Sequence, residues 1–129
     1  MNFQQIEETH LMENIIYNEL RFRGFNVYVG EVNISQKTDR TDVNGKIIYE
    51  QKKLEVDFIA TKGSEKYYIP SVLSMSDPEK LLQEKRSLYY IDDSFKKIII
   101  AKTGLKPSYD EKGVLVLDLF DFLLEENFS

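Results

Sequence analysis

The sequence predicts an α/β domain in which a mixed sheet carries helices on its faces. Three observations predict it. A helical repeat opens the chain, strand-like runs fill residues 25–73, and a second helical pattern then leads to two short, continuously apolar runs. A helix between a hairpin and the next strand is a crossover, and crossovers go with parallel pairing. The expected order is α-β-β-β-α-β-β with a short C-terminal helix.

From Gln5 to Arg23, Leu11, Met12, Ile15, Ile16 and Leu20 recur at the i, i+3, i+4 spacing of one helix face. Gly24 follows as a stop, with Arg21 and Arg23 placed to complement the negative end of the helix dipole. Glu13 lies at the border of the apolar stripe. Phe25 to Ile34 reads as a strand. Gln36 to Asn44 is polar, and Asn44-Gly45 is the strongest short turn signal in the chain. Asn33 to Lys53 is therefore expected to form an extended hairpin arm with a mobile tip.

Leu54, Val56, Phe58 and Ala60 alternate with Glu55, Asp57, Ile59 and Thr61, the period of a half-buried strand. Gly63 and Ser64 turn the chain into Tyr67 to Leu73, its expected hairpin partner. Asp57 stands out because Asp is a poor strand former. A place on the wet face of the sheet is the plain explanation for it. Pro70 removes a ladder donor and marks an edge or a bulge. Ser76-Asp77-Pro78-Glu79 is a helix-start signature, and Leu81, Leu82, Lys85, Leu88 and Tyr89 form the inward face of a helix ending near Ile91 to Asp93. Lys96 to Ala101 and Val114 to Leu117 suit strands buried on both faces. Gly104 to Gly113 reads as a loop, and Leu119 to Glu125 as the closing helix.

With 129 residues the chain is expected to be one domain, residues 1–129. The absence of cysteine excludes a disulfide scaffold and thiolate metal sites and fits a reducing cytoplasm. One histidine, His10, leaves no room for a His-rich zinc site. A net charge of −5 argues against wrapping nucleic acid by bulk charge. No apolar run is long enough for a transmembrane helix, and no signal peptide is evident, so a soluble, cytoplasmic protein without membrane contact is expected.

Five stretches carry a resemblance: His10–Leu20 (HLMENIIYNEL), Arg23–Gly30 (RGFNVYVG), Glu55–Ala60 (EVDFIA), Lys66–Ile69 (KYYI) and Leu117–Leu124 (LDLFDFLL). In this order they resemble the restriction-endonuclease-like core of the PD-(D/E)xK nucleases. More closely, they resemble a C-terminal domain of unknown function found in predicted AAA-type ATPases of bacteria and archaea, over about Glu8 to Leu124. The resemblance implies that Glu13 and Asp57 stand where that fold places its helix acid and first metal-binding Asp, with Mg²⁺ or Mn²⁺ as cofactor. Hydrolysis needs clustered oxygen ligands and a cation near the scissile phosphate. The acid and lysine of the (D/E)xK element would fall on Pro70-Ser71-Val72, which has neither. Lys85 or Arg86 could replace the lysine, Gln83 or Glu84 could add a ligand, and Glu55 could assist.

The function expected is a degenerate nuclease-like domain, a nucleic-acid- or protein-binding regulatory module of an ATPase. The alternatives are an active Mg/Mn-dependent nuclease using Glu13, Asp57 and Lys85, and a protein-interaction or dimerisation domain. The last is suggested by edge strands and by the pairs Tyr67-Tyr68 and Tyr89-Tyr90. No phosphate-binding G-x-x-x-x-G-K-[S/T] occurs, so the ATPase domain of the implied parent is absent here, and the resemblance implies either a C-terminal fragment of a longer protein or a stand-alone relative. Nucleic acid, that ATPase domain and a second copy of the chain are the partners implied. The Gln36 to Tyr49 insertion is longer than the resemblance leads one to expect.

Overall fold

A computed structural model describes residues 3–73, 78–91, 93–104 and 106–125. The elements in order are α1 (Phe3–Phe22), β1 (Asn26–Thr41), β2 (Ile47–Lys62), β3 (Glu65–Ile69), β4 (Ser71–Val72), α2 (Pro78–Tyr89), β5 (Lys96–Ala101), β6 (Ser108–Tyr109), β7 (Leu115–Asp118) and α3 (Leu119–Leu124). One mixed, open sheet runs β1-β2-β3-β5-β7-β6, with β4 pairing beside β5. β1, β2 and β3 form an antiparallel meander, while β5 is parallel to β3, β4 and β7. The predicted crossover through α2 is present.

The two faces of the sheet build two cores. On one, Met12, Ile16 and Leu20 of α1 and Leu119 and Phe122 of α3 pack on Phe58, Ala60, Ile98, Ile100, Leu115 and Leu117. On the other, Leu88 of α2, with Leu81 and Tyr89 at its edge, packs on Val56, Ile59, Ile99, Ala101, Val114 and Val116. Successive residues of β5 and β7 alternate between the two cores, which is why both strands read as unbroken apolar runs. Tyr67 and Tyr68 are buried in opposite cores, so that aromatic pair packs the interior and offers no interface.

α1 ends as its sequence predicts. Gly24 adopts φ +92°, its N–H bonds to Arg21 O, and the Phe25 N–H reaches back to Leu20 O. This is a Schellman closure, and a side chain at position 24 would be strained there. The Asn44-Gly45 turn also forms: Asp42 Oδ1 accepts from the Asn44 and Lys46 N–H groups, and Gly45 takes φ +79°. β1 and β2 pair from this turn back to the sheet with one irregularity between Lys37 and Thr41, so residues 33–53 form a two-stranded ribbon.

Several expectations need correction. Val56 and Phe58 do not share a face: between Gly30↔Val56 and Tyr28↔Ile59, β2 spends one residue more than β1. This bulge sends Phe58 and Ala60 to the α1 core while Val56 and Ile59 serve the α2 core. Gly30 lies opposite it, and a Cβ there would fall 1.9 Å from Ile59 Cδ1. Leu11 and Leu82 are 61% and 45% exposed, outside the apolar stripes to which their spacing assigns them. α2 stops at Tyr89, short of Ile91, and the loop before Gly113 contains the short strand β6. The Ser76-Asp77 start signal lies outside the described residues.

Candidate functional site at the fork of the sheet

The centre of the candidate site follows from Pro70. β2 and β3 pair as far as Phe58↔Ile69, and there the ladder stops. Pro70 has no N–H to continue it, and its carbonyl turns to accept from the Ile100 N–H. Beyond it, Ser71–Val72 pairs with β5. β2 and β3 therefore part at this point. Asp57, half-buried at the β2 bulge, faces the gap: its Oδ2 accepts from the Ser71 N–H at 2.9 Å and from Ser71 Oγ at 3.4 Å.

Asp57 is thus neither a bare surface residue nor a free ligand. One oxygen satisfies a backbone donor that the fork would otherwise orphan. Its charge also reaches both helix layers. Glu13 of α1 has its pKa raised, first by desolvation and then by repulsion from Asp57, with His10 opposing. Glu84 of α2 is raised by the same two causes in the same order, with Lys80 opposing. Helices on opposite faces of a sheet come under one carboxylate where the sheet opens.

Three acids, Glu13, Asp57 and Glu84, are therefore electrostatically linked at the fork. Their hard oxygens suit Mg²⁺ or Mn²⁺ in kind. In place they do not fit: among the described residues no group of three carboxylate or imidazole side chains stands close enough to hold an ion. Lys85 joins a different cluster. It follows Glu84 by about 100° of helix rotation, and its charge acts on Asp110, which also accepts from the Tyr89 hydroxyl. The lysine near Glu84 is Lys80, one turn earlier. The i, i+4 spacing of Lys80 and Glu84 was the available signal. Gln83 and Arg86 are exposed, as is Glu55, which pairs across from Glu31.

The other lysines sort by structural duty. Lys62 donates to Arg23 O at the end of α1 and lies over the Phe25 ring. Lys97 pairs with Asp93 at 3.1 Å, and Asp93 also accepts from the Tyr68 hydroxyl at 2.6 Å. Lys66 lies over Tyr68 and Phe95. Lys52 and Lys53 are exposed on the ribbon, where they lie 3.9 Å from Glu50 and 3.8 Å from Glu31.

A raised carboxylate pKa means that the folded state disfavours the charge. Below the unfolded value of 4.5 both states are protonated, and the penalty sets in as pH rises above it. Glu84→Gln is thus expected to stabilise the protein at pH 7 by roughly 0.5 kcal/mol, a small figure because the group is half-exposed. The gain should vanish near pH 4. Thermal melts at the two pH values check this, and a loss of stability at pH 7 would refute the repulsion.

No protein-family model matches the chain, and no curated protein matches it. Among the described residues, no helix is long and apolar enough to cross a membrane.

Proposed function

We propose that this chain is a nuclease-like domain that binds nucleic acid without cleaving it, as a regulatory module of an ATPase. One observation carries the loss of chemistry. Where a hydrolytic centre of this type needs a strand-borne acid and lysine, Ser71 occupies Asp57 through its N–H and hydroxyl. The partnership with an ATPase rests on the sequence resemblance alone.

The ribbon favours nucleic acid as the ligand. Residues 33–53 hold five basic and three acidic side chains, a net +2 in a chain of net −5. Register places Asn33 opposite Lys53, Ser35 opposite Gln51 and Lys37 opposite Tyr49. Alternation puts these pairs on the face that Asp57 shares farther along β2. A two-stranded ribbon fits the major groove, and amides, lysines and an aromatic ring suit backbone contact and stacking. Fluorescence anisotropy with labelled duplex and single-stranded oligonucleotides tests this. Binding should weaken as salt rises, and Lys53→Glu should weaken it about ten-fold. Binding that ignores both salt and Lys53 would overturn the reading.

A second reading, metal-dependent cleavage, is favoured by the reach of Asp57 to Glu84 as well as Glu13. It requires the three acids to close on an ion and Lys80, in place of Lys85, to serve the phosphate. Saturable Mn²⁺ binding by calorimetry, lost in Asp57→Asn, would support it over the first.

A further inference from the structure

We propose that the outer edge of β1 docks a second copy of this chain, strand to antiparallel strand, about a two-fold axis through Ile34. The sheet ends differently on its two sides. β6, at one end, is two residues long and offers little backbone to pair with. β1, at the other, runs 16 residues with β2 as its only strand partner among the described residues. It carries no proline, and its ladder with β2 shows no bulge on the β1 side between Asn26 and Lys37. A strand edge of that length is a template for another strand.

The charges on β1 select the occupant. Between Asn26 and Lys37 only Glu31 and Lys37 are charged; both are exposed, and Glu31 also lies 3.8 Å from Lys53 of its own chain. Outward backbone groups fall on alternate residues, so a two-fold antiparallel pairing must centre on a residue. Centred on Ile34, it sets Glu31 opposite Lys37 of the second copy, and symmetry makes this contact twice. Centred one residue later, Glu31 faces position 39, inside the irregularity of β1 between Lys37 and Thr41, and meets no lysine there. Both members of each favourable pair lie on one face by alternation, so their side chains meet. The same register places Asn33 opposite Ser35 and Ile34 opposite itself. It joins two sheets into one and sets the two ribbons side by side. None of this depends on the ligand proposed for the ribbon.

Sedimentation equilibrium of the whole chain, without nucleic acid, tests it. Wild type should show a concentration-dependent dimer. Lys37→Glu and Glu31→Lys should each weaken dimerisation about ten-fold or more, since each turns both cross-strand pairs into like charges. The double variant E31K/K37E should restore it. Both positions are exposed, and circular dichroism confirms that the variants fold. A monomer at every concentration, or a double variant no better than either single one, would overturn the proposal. Failure to bind nucleic acid would leave this result unchanged, so the two readings fail separately.

Discussion

Phe122→Ala should cost about 3–5 kcal/mol, the largest loss expected from a single side chain in this protein. Phe122 is fully buried and is the bulkiest of the fully buried side chains among the described residues. It fixes the six-residue α3, too short to be stable alone, into the core shared with α1. The Arg23 guanidinium lies 4.8 Å from its ring centroid and donates to its carbonyl. Truncation therefore opens a cavity and removes a cation–π partner at the C-terminal end of α1. Urea unfolding followed by circular dichroism measures the loss. A cost below about 1 kcal/mol would show that the site collapses around the missing ring.

Asp118→Ala should cost about 3 kcal/mol, because a buried carboxylate there accepts from several backbone donors at once. Its Oδ1 takes the Thr103 and Gly104 N–H groups at 2.9 and 2.8 Å, and its Oδ2 caps α3 through the Phe120 N–H at 3.0 Å. Desolvation works against the charge, but the N–H groups of Gly104, Thr103 and Phe120 outweigh it and hold the pKa below the ordinary value of 3.8. For a depressed pKa the stabilisation is fully present above the unfolded value and is lost as pH falls through the folded one. Asp118→Asn should therefore lie well below wild type at pH 7, with the gap narrowing below about pH 4. A gap that does not change with pH would show that the charge contributes nothing.

Where a residue's duty is local, the sequence shows it plainly. Gly24 closes α1, Asn44-Gly45 turns the ribbon, and the run through Ile98, Ile99 and Ile100 becomes a strand buried on both sides. What stayed hidden depends on pairing between distant residues. The bulge at Asp57 is a mismatch of register between β1 and β2, so neither strand carries it alone. Strict alternation therefore put Val56 and Phe58 on one face when they serve two. β6 exists only through its pairing with β7.

The candidate site divides in the same way. Asp57 stood out as an acid in mid-strand, and Glu13 as an acid at the border of an apolar stripe. Pro70 marked an interruption, which the structure places where β2 and β3 part. The choice between Lys85 and its neighbours turned on the rotation of α2, and that follows from how Leu81, Leu88 and Tyr89 pack. The hydrogen bond from Ser71 to Asp57 spans the fork and has no sequence signal. Asp118 did have one, an acid just before an apolar helix, the usual place for an N-cap.

The most direct test of a fork that binds without cutting is to incubate the protein with end-labelled duplex, single-stranded DNA and RNA in Mn²⁺ and in Mg²⁺. Binding and cleavage are then read on the same samples. Salt-sensitive binding with every substrate left intact is the result expected. Cleavage that disappears in Asp57→Asn, with the variant still folded, would contradict the account and make Glu13, Asp57 and Glu84 a working metal centre.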